Sequence, residues 1–324
     1  MKFSVVVPLY NCKDYIQACL NSLAEQTYCD FEVVVVNDGS TDSSAIIASE
    51  ICSSYSNMKM ISQENRGLSG ARNTGLQAAV GEYVVFIDAD DYVEPNLLDT
   101  LNGACAAQDI VMFGYHCDHI DGSELVSTSV VAFDGDSIEE CLARMDALEF
   151  AGLVGYAWNK AYRRKFLIER KLTFPERVPL VEDIDFNSRA ITCARGIAIL
   201  PDALVHYVQR DNRETLSNMR YNNIAALSSR GFKARFAVFD KFDSSSAPAL
   251  TAPVFELALV FLLNHASGSL VDRGREVNAF IDSCSPLIEP NQMHSWALNR
   301  LVSCRAGIVL ATIYAIKQMI KGQL

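Results

Sequence analysis

The chain has 324 residues, 50% of them hydrophobic, with a formal net charge of -11 and a pI near 5.0, which is ample for one large domain or a domain with an appendage. Such acidity excludes a binder of nucleic-acid backbones, which needs a positive footprint, but permits a nucleotide held through a metal. Ten cysteines run from Cys12 to Cys304 without a CxxC pair, so reduced, buried thiols are expected, with neither a zinc site nor a disulfide framework.

Short apolar runs alternate with helical patterns through the first third. In order they are strand Phe3 to Val7, helix near Tyr15 to Gln26, strand Phe31 to Val36, helix near Ser43 to Tyr55 and strand Met58 to Ser62. Helix Ser69 to Val80, strand Glu82 to Ile87, helix Pro95 to Ala107 and strand Ile110 to Phe113 follow. This alternation predicts an α/β fold, a mostly parallel sheet with helices on both faces. Ligands of such sheets bind beyond the carboxyl ends of the strands, where Pro8 to Asn11, Asn37 to Asp42 and Asp88 to Asp91 fall. From Tyr115 to about Ser217 the pattern loosens into a polar hairpin-like stretch, a helix near Ile138 to Phe150, a short helix after Trp158 and a helix from Glu182 to Cys193. Strand Ile197 to Tyr207 is expected to rejoin the sheet. After Met219 helices dominate, interrupted by an SSSAP linker near Ser244 to Pro248. A boundary near residue 218 thus separates residues 1–218 from a C-terminal helical extension, 219–324.

The apolar run before Pro8 is too brief for a signal peptide, and no charge-free stretch approaches the roughly 20 residues of a spanning helix. A cytoplasmic protein is expected.

FIDADD, Phe86 to Asp91, delivers Asp88 and Asp90 at the end of a predicted strand, where residues two apart share a side. Paired oxygen ligands of this kind favour Mg2+ or Mn2+ carrying a diphosphate. In VVVVNDGSTD, Gly39 is free to turn and Ser40 or Thr41 can cap the next helix. Asp38 there either orders the turn or accepts the imide N–H of a uracil. ENRGLSGARNTGL lacks P-loop and GxGxxG spacing. Ser69 is a candidate cap of a helix presenting Arg72, which reads as an anion or nucleotide ligand or as a structural ion pair. Glu182 and Asp183 in PLVEDIDF either answer a helix dipole or supply a general base. In HCDHID, His116 and His119 point to opposite faces of an extended segment, which disfavours metal binding by that pair.

Taken together, SVVVPLYN, VVNDGSTD, ENRGLSGARNTG, FIDADD, WNKAY and EDIDF resemble, in order and spacing, the family 2 glycosyltransferases with the GT-A fold, over about residues 3 to 217. The resemblance implies an inverting transfer of a sugar from a nucleotide diphosphate, usually a UDP-sugar, to an acceptor hydroxyl. It implies a nucleotide-sugar-binding half (1–114) and an acceptor-binding half (115–218). Pro8, Tyr10 and Asn11 would line the base and ribose, Asp38 would pair with uracil, and Arg72 would support the nucleotide. Asp90 would ligate Mn2+ or Mg2+, with Asp88 near the ribose or the metal, and Asp183 would be the catalytic base. Glu182, Trp158, Asn159, Lys160, His206, Arg210 and Arg213 are candidate acceptor or diphosphate contacts. Trp158 reads equally as a core residue, and His206 as sheet-edge packing.

The acidic motif reads DADD where polyprenyl-phosphate sugar synthases have DADLQ, which disfavours a lipid-phosphate acceptor, and QxxRW is missing with no spanning helix beside the domain, which disfavours a processive synthase. A single sugar added to a glycan or lipid-linked glycan is expected. Alternatives are a sugar nucleotidyltransferase, whose GxGTRxxP signature is missing, and a catalytically silent sugar-nucleotide-binding subunit. The tail ending AGIVLATIYAIKQMIKGQL carries Arg300, Arg305, Lys317 and Lys321 and no acid after Glu289. It suits packing on neighbouring helices, a homodimer interface, or peripheral contact with the inner face of an anionic membrane.

Overall fold

A computed structural model describes residues 1–287 apart from 107, 123, 134–136, 145–146, 211–220, 222 and 243–246. The first half alternates strictly: β1 (Phe3–Leu9), α1 (Ile16–Ala24), β2 (Phe31–Asn37), α2 (Ser44–Ser54), β3 (Met58–Ser62), α3 (Gly67–Ala78) and β4 (Tyr83–Phe86). A two-residue strand β5 (Tyr92–Val93) precedes α4 (Leu97–Ala104). Then come β6 (Ile110–Asp121), β7 (Glu124–Val131), α5 (Ile138–Arg144), α6 (Ala147–Gly155), β8 (Lys160–Arg163), α7 (Arg164–Glu169), α8 (Glu182–Cys193) and β9 (Ile197–Arg210). Helices α9 (Ile224–Phe242), α10 (Ala247–His265) and α11 (Leu270–Cys284) close the described chain.

The strands form one sheet in the order β3-β2-β1-β4-β8-β6-β9-β5, with β7 paired to β6. Strands β3, β2, β1 and β4 are mutually parallel. Beyond β4 the sheet is mixed: β8 runs antiparallel to both β4 and β6, whereas β6 and β9 are parallel. All seven residues of β2, FEVVVVN, are buried, as expected of a strand covered on both faces. Helix α3 lies tight on β1: a Cβ on Gly75 would fall 2.2 Å from Val6 Cγ1. Glycine is therefore required by packing at a position where it otherwise weakens a helix.

Several sequence expectations shift. The strand from Ile110 runs on to Asp121 and forms a hairpin with β7. The single helix expected over 138–150 is two, α5 and α6. A strand, β8, comes between Trp158 and the short helix α7. Ser69 is buried inside α3, which begins at Gly67 with its backbone in the left-handed region (φ 75°). Nor does Ser40 or Thr41 cap α2: Asp42 Oδ1 receives the Ser44 amide at 2.9 Å. Nine cysteines among the described residues are free thiols. No described helix is long and apolar enough to cross a membrane. The boundary near 218, part of the SSSAP linker, and the basic tail from Arg300 lie outside the described residues.

Candidate active site

Because β2, β1 and β4 are neighbours, the loops that leave their carboxyl ends converge. Pro8 continues β1 without cost. Val6 O receives the Ile87 amide, so alternate residues face β4, and β4 has ended before Pro8 would need a donor. Asn11 adopts the left-handed region (φ 50°) and ties this loop to the next, its Oδ1 accepting the Thr41 amide at 2.8 Å. Tyr10 is 48% exposed beside it. Asp38 is buried, and its Oδ1 accepts Gln63 Nε2 at 2.6 Å and the Arg66 amide at 2.9 Å. It therefore orders the entrance to α3 through one oxygen. Gly39 turns the chain at φ 74°, with no space for a side chain against Asn65.

Arg72, on α3, is completely buried. One terminal nitrogen donates to Asp88 Oδ1 at 2.7 Å and the other to Asp183 Oδ1, while the guanidinium lies 5.3 Å from the Phe174 ring. Burial alone would pull Arg72 down, but Asp183 and Asp88 outweigh it and hold the guanidinium above its ordinary range. The second Asp183 oxygen accepts the Ala157 amide at 3.2 Å. Burial raises Asp183 and the Asp88 charge adds to this, against the lowering effect of Arg72. Glu182, beside it in the first turn of α8, is 8% exposed, and one of its buried oxygens has no partner. Burial and then the charge of Asp183 push it up to about 7. Two adjacent acids with raised affinity for protons suit proton abstraction more than a simple answer to the helix dipole.

The acidic residues are not on a strand. β4 stops at Phe86 and Asp88–Asp91 form a turn, closed by the Asp91 amide on the Asp88 carbonyl at 3.1 Å. These acids therefore share a turn, not one side of a strand. Asp91 is buried and lies well above the ordinary carboxylate range, through burial first and then the charges of Asp90 and Asp88. The Val208 amide donates to it at 2.9 Å. Concentrated negative charge in an oxygen-only donor set fits a divalent cation of the Mg2+ or Mn2+ type. Arg210, at the end of β9, grips this turn: its guanidinium donates to the Asp90 carbonyl at 3.2 and 3.3 Å and lies 3.9 Å from the Tyr15 ring centre.

The other candidates separate. Trp158 is 2% exposed and stacks near Tyr156 (4.6 Å) and Tyr207 (5.3 Å), which touch each other at 5.7 Å, with Tyr115 edge-on at 4.8 Å. It is thus buried in an aromatic cluster, as in the core reading. Asn159 and Lys160 are fully buried. Lys160 Nζ donates to the Tyr156 carbonyl at 2.5 Å and to Asn159 Oδ1 at 2.6 Å, and burial pulls it down to about 7. A neutral amine has two N–H groups for those two acceptors, so this pair is structural. His206 sits in a separate cluster with Glu94, Asp118 and His116. Arg213 lies outside the described residues.

Two supporting residues carry no obvious signal in the sequence. Asn73 donates to the Phe174 carbonyl and accepts its amide, both at 2.9 Å, which pins the segment leading to α8. Gln63 links Asp38 to Thr74 Oγ1, accepting the latter at 2.6 Å.

A family model described as glycosyl transferase family 2 matches residues 4–171. The chain is 37% identical over 207 residues to the Bacillus subtilis (strain 168) protein EpsH, covering 63% of this chain and 60% of EpsH. It is 34% identical over 227 residues to the Staphylococcus aureus (strain Mu50) poly(ribitol-phosphate) beta-N-acetylglucosaminyltransferase TarS, covering 67% of this chain and 37% of TarS. The chain thus spans about 60% or less of the length of these relatives. Among solved structures, S. aureus TarS residues 1–349 in complex with UDP superposes with a TM-score of 0.71 at 22% identity, over 98% of this chain and 92% of that one. The same TarS fragment with UDP-GlcNAc gives 0.70 at 23% identity. The mixed sheet with flanking helices and a helical C-terminal region is the fold of that fragment.

Proposed function

The chain belongs to glycosyl transferase family 2, and we propose that it transfers one sugar from a nucleotide diphosphate, most simply a UDP-sugar, to a hydroxyl of a glycan or lipid-linked glycan, with inversion at the anomeric carbon. The observation that carries this is the placement of Asp88 and Asp183 on the two terminal nitrogens of one buried guanidinium, that of Arg72. A donor-side carboxylate and a second carboxylate able to accept a proton are thereby held together beyond the ends of the strands.

In this reading the loops carrying Pro8, Tyr10, Asn11 and Asp38 receive the base and ribose, and the second oxygen of Asp38 accepts from the uracil. Asp90 and Asp88 would hold Mn2+ or Mg2+, which when bound neutralises charge developing on the leaving diphosphate. Asp183 takes the proton of the acceptor hydroxyl as its oxygen attacks from the face opposite the diphosphate. Asp183 has a raised proton affinity and is aimed by Arg72 and the Ala157 amide, which suits it to accept that proton. The TarS fragment bound to UDP-GlcNAc supports the choice of a UDP-linked donor, as a hexose or N-acetylhexosamine.

A thermal-shift panel of nucleotide sugars with and without Mn2+ tests the donor, since a ligand of the folded state raises apparent stability. A UDP-sugar should stabilise the protein, more so with Mn2+, and acceptor-dependent release of UDP should follow. Release of pyrophosphate would instead identify a nucleotidyltransferase, and a shift without turnover on any acceptor a silent subunit.

A further inference from the structure

We infer that Glu94, His116 and His206 form a second divalent-metal site of zinc-like character, which shares no ligand with the acidic turn and cross-links β5, β9 and β6. The sheet register creates it. His206 is the paired residue of Tyr92 across the antiparallel β5–β9 ladder and of His116 across the parallel β9–β6 ladder, so the three rings share one face. They stack in a row, Tyr92 on His206 at 4.2 Å and His206 on His116 at 4.3 Å. Glu94, two positions after Tyr92, returns to the same face. Its Oε1 lies 2.9 Å from His206 Nε2 and 3.8 Å from His116 Nε2, and one ligand atom from each of the three residues falls within 4.8 Å of the others.

Two imidazole nitrogens and one carboxylate are the donor set of borderline cations such as Zn2+, Co2+ and Ni2+, unlike the oxygen-only acidic turn. The support behind the ligands is also in place. Asp118 is buried and two positions beyond His116; it accepts Tyr92 Oη at 2.6 Å and Thr128 Oγ1 at 2.7 Å. Its other close partner is His206 Nδ1, at 2.8 Å. A carboxylate that takes the Nδ1 proton leaves the Nε2 lone pair aimed at Glu94, the arrangement by which metal-binding histidines are oriented. The side chains of His206, His116 and Glu94 are 16%, 22% and 35% exposed, which gives an ion a path from solvent. Coordination requires the two parallel rings to fan open, because an ion must lie in the plane of each. The competing arrangement is a doubly protonated His206 bridging Asp118 and Glu94, which needs no ion.

Titration of metal-free, full-length protein with Co2+ in excess Mg2+ distinguishes them, because Co2+ bound by nitrogen and oxygen ligands has visible absorption bands. One equivalent should bind with those bands and be displaced by Zn2+, in the wild type and equally in Asp90→Asn. His116→Gln and Glu94→Gln should each weaken Co2+ binding by at least about tenfold, and far-UV circular dichroism of the metal-free variants should match the wild type. Glu94→Gln, at a partly exposed position, decides the matter if His116→Gln does not fold. Absence of the bands in the wild type, binding unchanged in these variants, or loss of the bands in Asp90→Asn would each overturn the assignment.

Discussion

Asp88, in the turn after β4, and Asp183, in the first turn of α8, are joined through the two terminal nitrogens of Arg72, a fully buried side chain. A buried cation is tolerated only because two carboxylates meet it, and two carboxylates approach so closely only because the cation lies between them. Most of the chemistry expected of this chain depends on that arrangement.

Replacing Asp183 with Asn keeps an acceptor for Arg72 and removes the proposed base. Sugar transfer should fall by about 10² to 10⁴ in kcat, while donor affinity, measured by calorimetry with a UDP-sugar, stays within a few-fold of wild type. Retention of full kcat would remove Asp183 from the reaction.

Arg72→Met should be among the most damaging single changes. It leaves Asp88 and Asp183 facing each other without compensation, at a cost of about 3 to 5 kcal/mol in urea unfolding. Arg72→Lys should recover only part of this, since an ammonium lacks the fork that reaches both acids. Equal stability of the Lys variant and wild type would contradict the bridging role.

The Glu182–Asp183 pair sets a pH limit. Both carboxyls bind protons more tightly than ordinary acids, Glu182 up to about 7, so the acidic limb of the kcat/KM profile should lie well above the usual aspartate range. Glu182→Gln removes a like charge beside Asp183 and should move that limb to lower pH. Between the ordinary value of 4.5 and about 7 the folded chain holds a proton that the unfolded chain has lost. Stability therefore falls as pH rises through that window, and Glu182→Gln should flatten the fall.

Lys160 has the opposite sign. Its folded value of about 7 lies below the ordinary 10.5, so between these the unfolded chain binds the proton that the folded chain has released, and stability rises with pH. Relative to Lys160→Met, the wild type should gain up to on the order of 1 kcal/mol per pH unit from pH ~7 to ~10 in urea titrations. A constant difference between the two proteins would show that Lys160 keeps its charge.

Asn73→Ala should leave the buried Phe174 amide and carbonyl without partners and cost about 1 to 3 kcal/mol. Through the freed approach to α8 it should also lower kcat more than donor affinity. A change confined to stability would place Asn73 outside the positioning of Asp183.

The parallel half of the sheet was legible because its strands are short apolar runs between clear turn residues, and β3 and α8 have the limits expected of them. In FIDADD the residues could be read but not their geometry, since alternation along a strand and a tight turn both bring alternate acids together. Lys160 and Asn159 were misleading because polarity suggests the surface, and only the fold shows that each partners the other in the interior. β6 was expected to stop at Phe113: its second half, GYHCDHID, is largely polar and resembles a loop. The Glu94, His116 and His206 grouping has no trace in sequence spacing, because it depends on which residues the β5, β9 and β6 registers set side by side.

The acidic turn is anchored from both halves of the molecule, through Asp88 to the Arg72 side chain and through Asp91 to the Val208 amide. The second anchor uses a main-chain donor, which is the same for any residue but proline at position 208. Residues of β9 other than Arg210, whose guanidinium holds the Asp90 carbonyl, can therefore change without loosening the turn, provided the strand keeps its register. Sequence change in the second half of the fold is consequently compatible with an unchanged acidic turn.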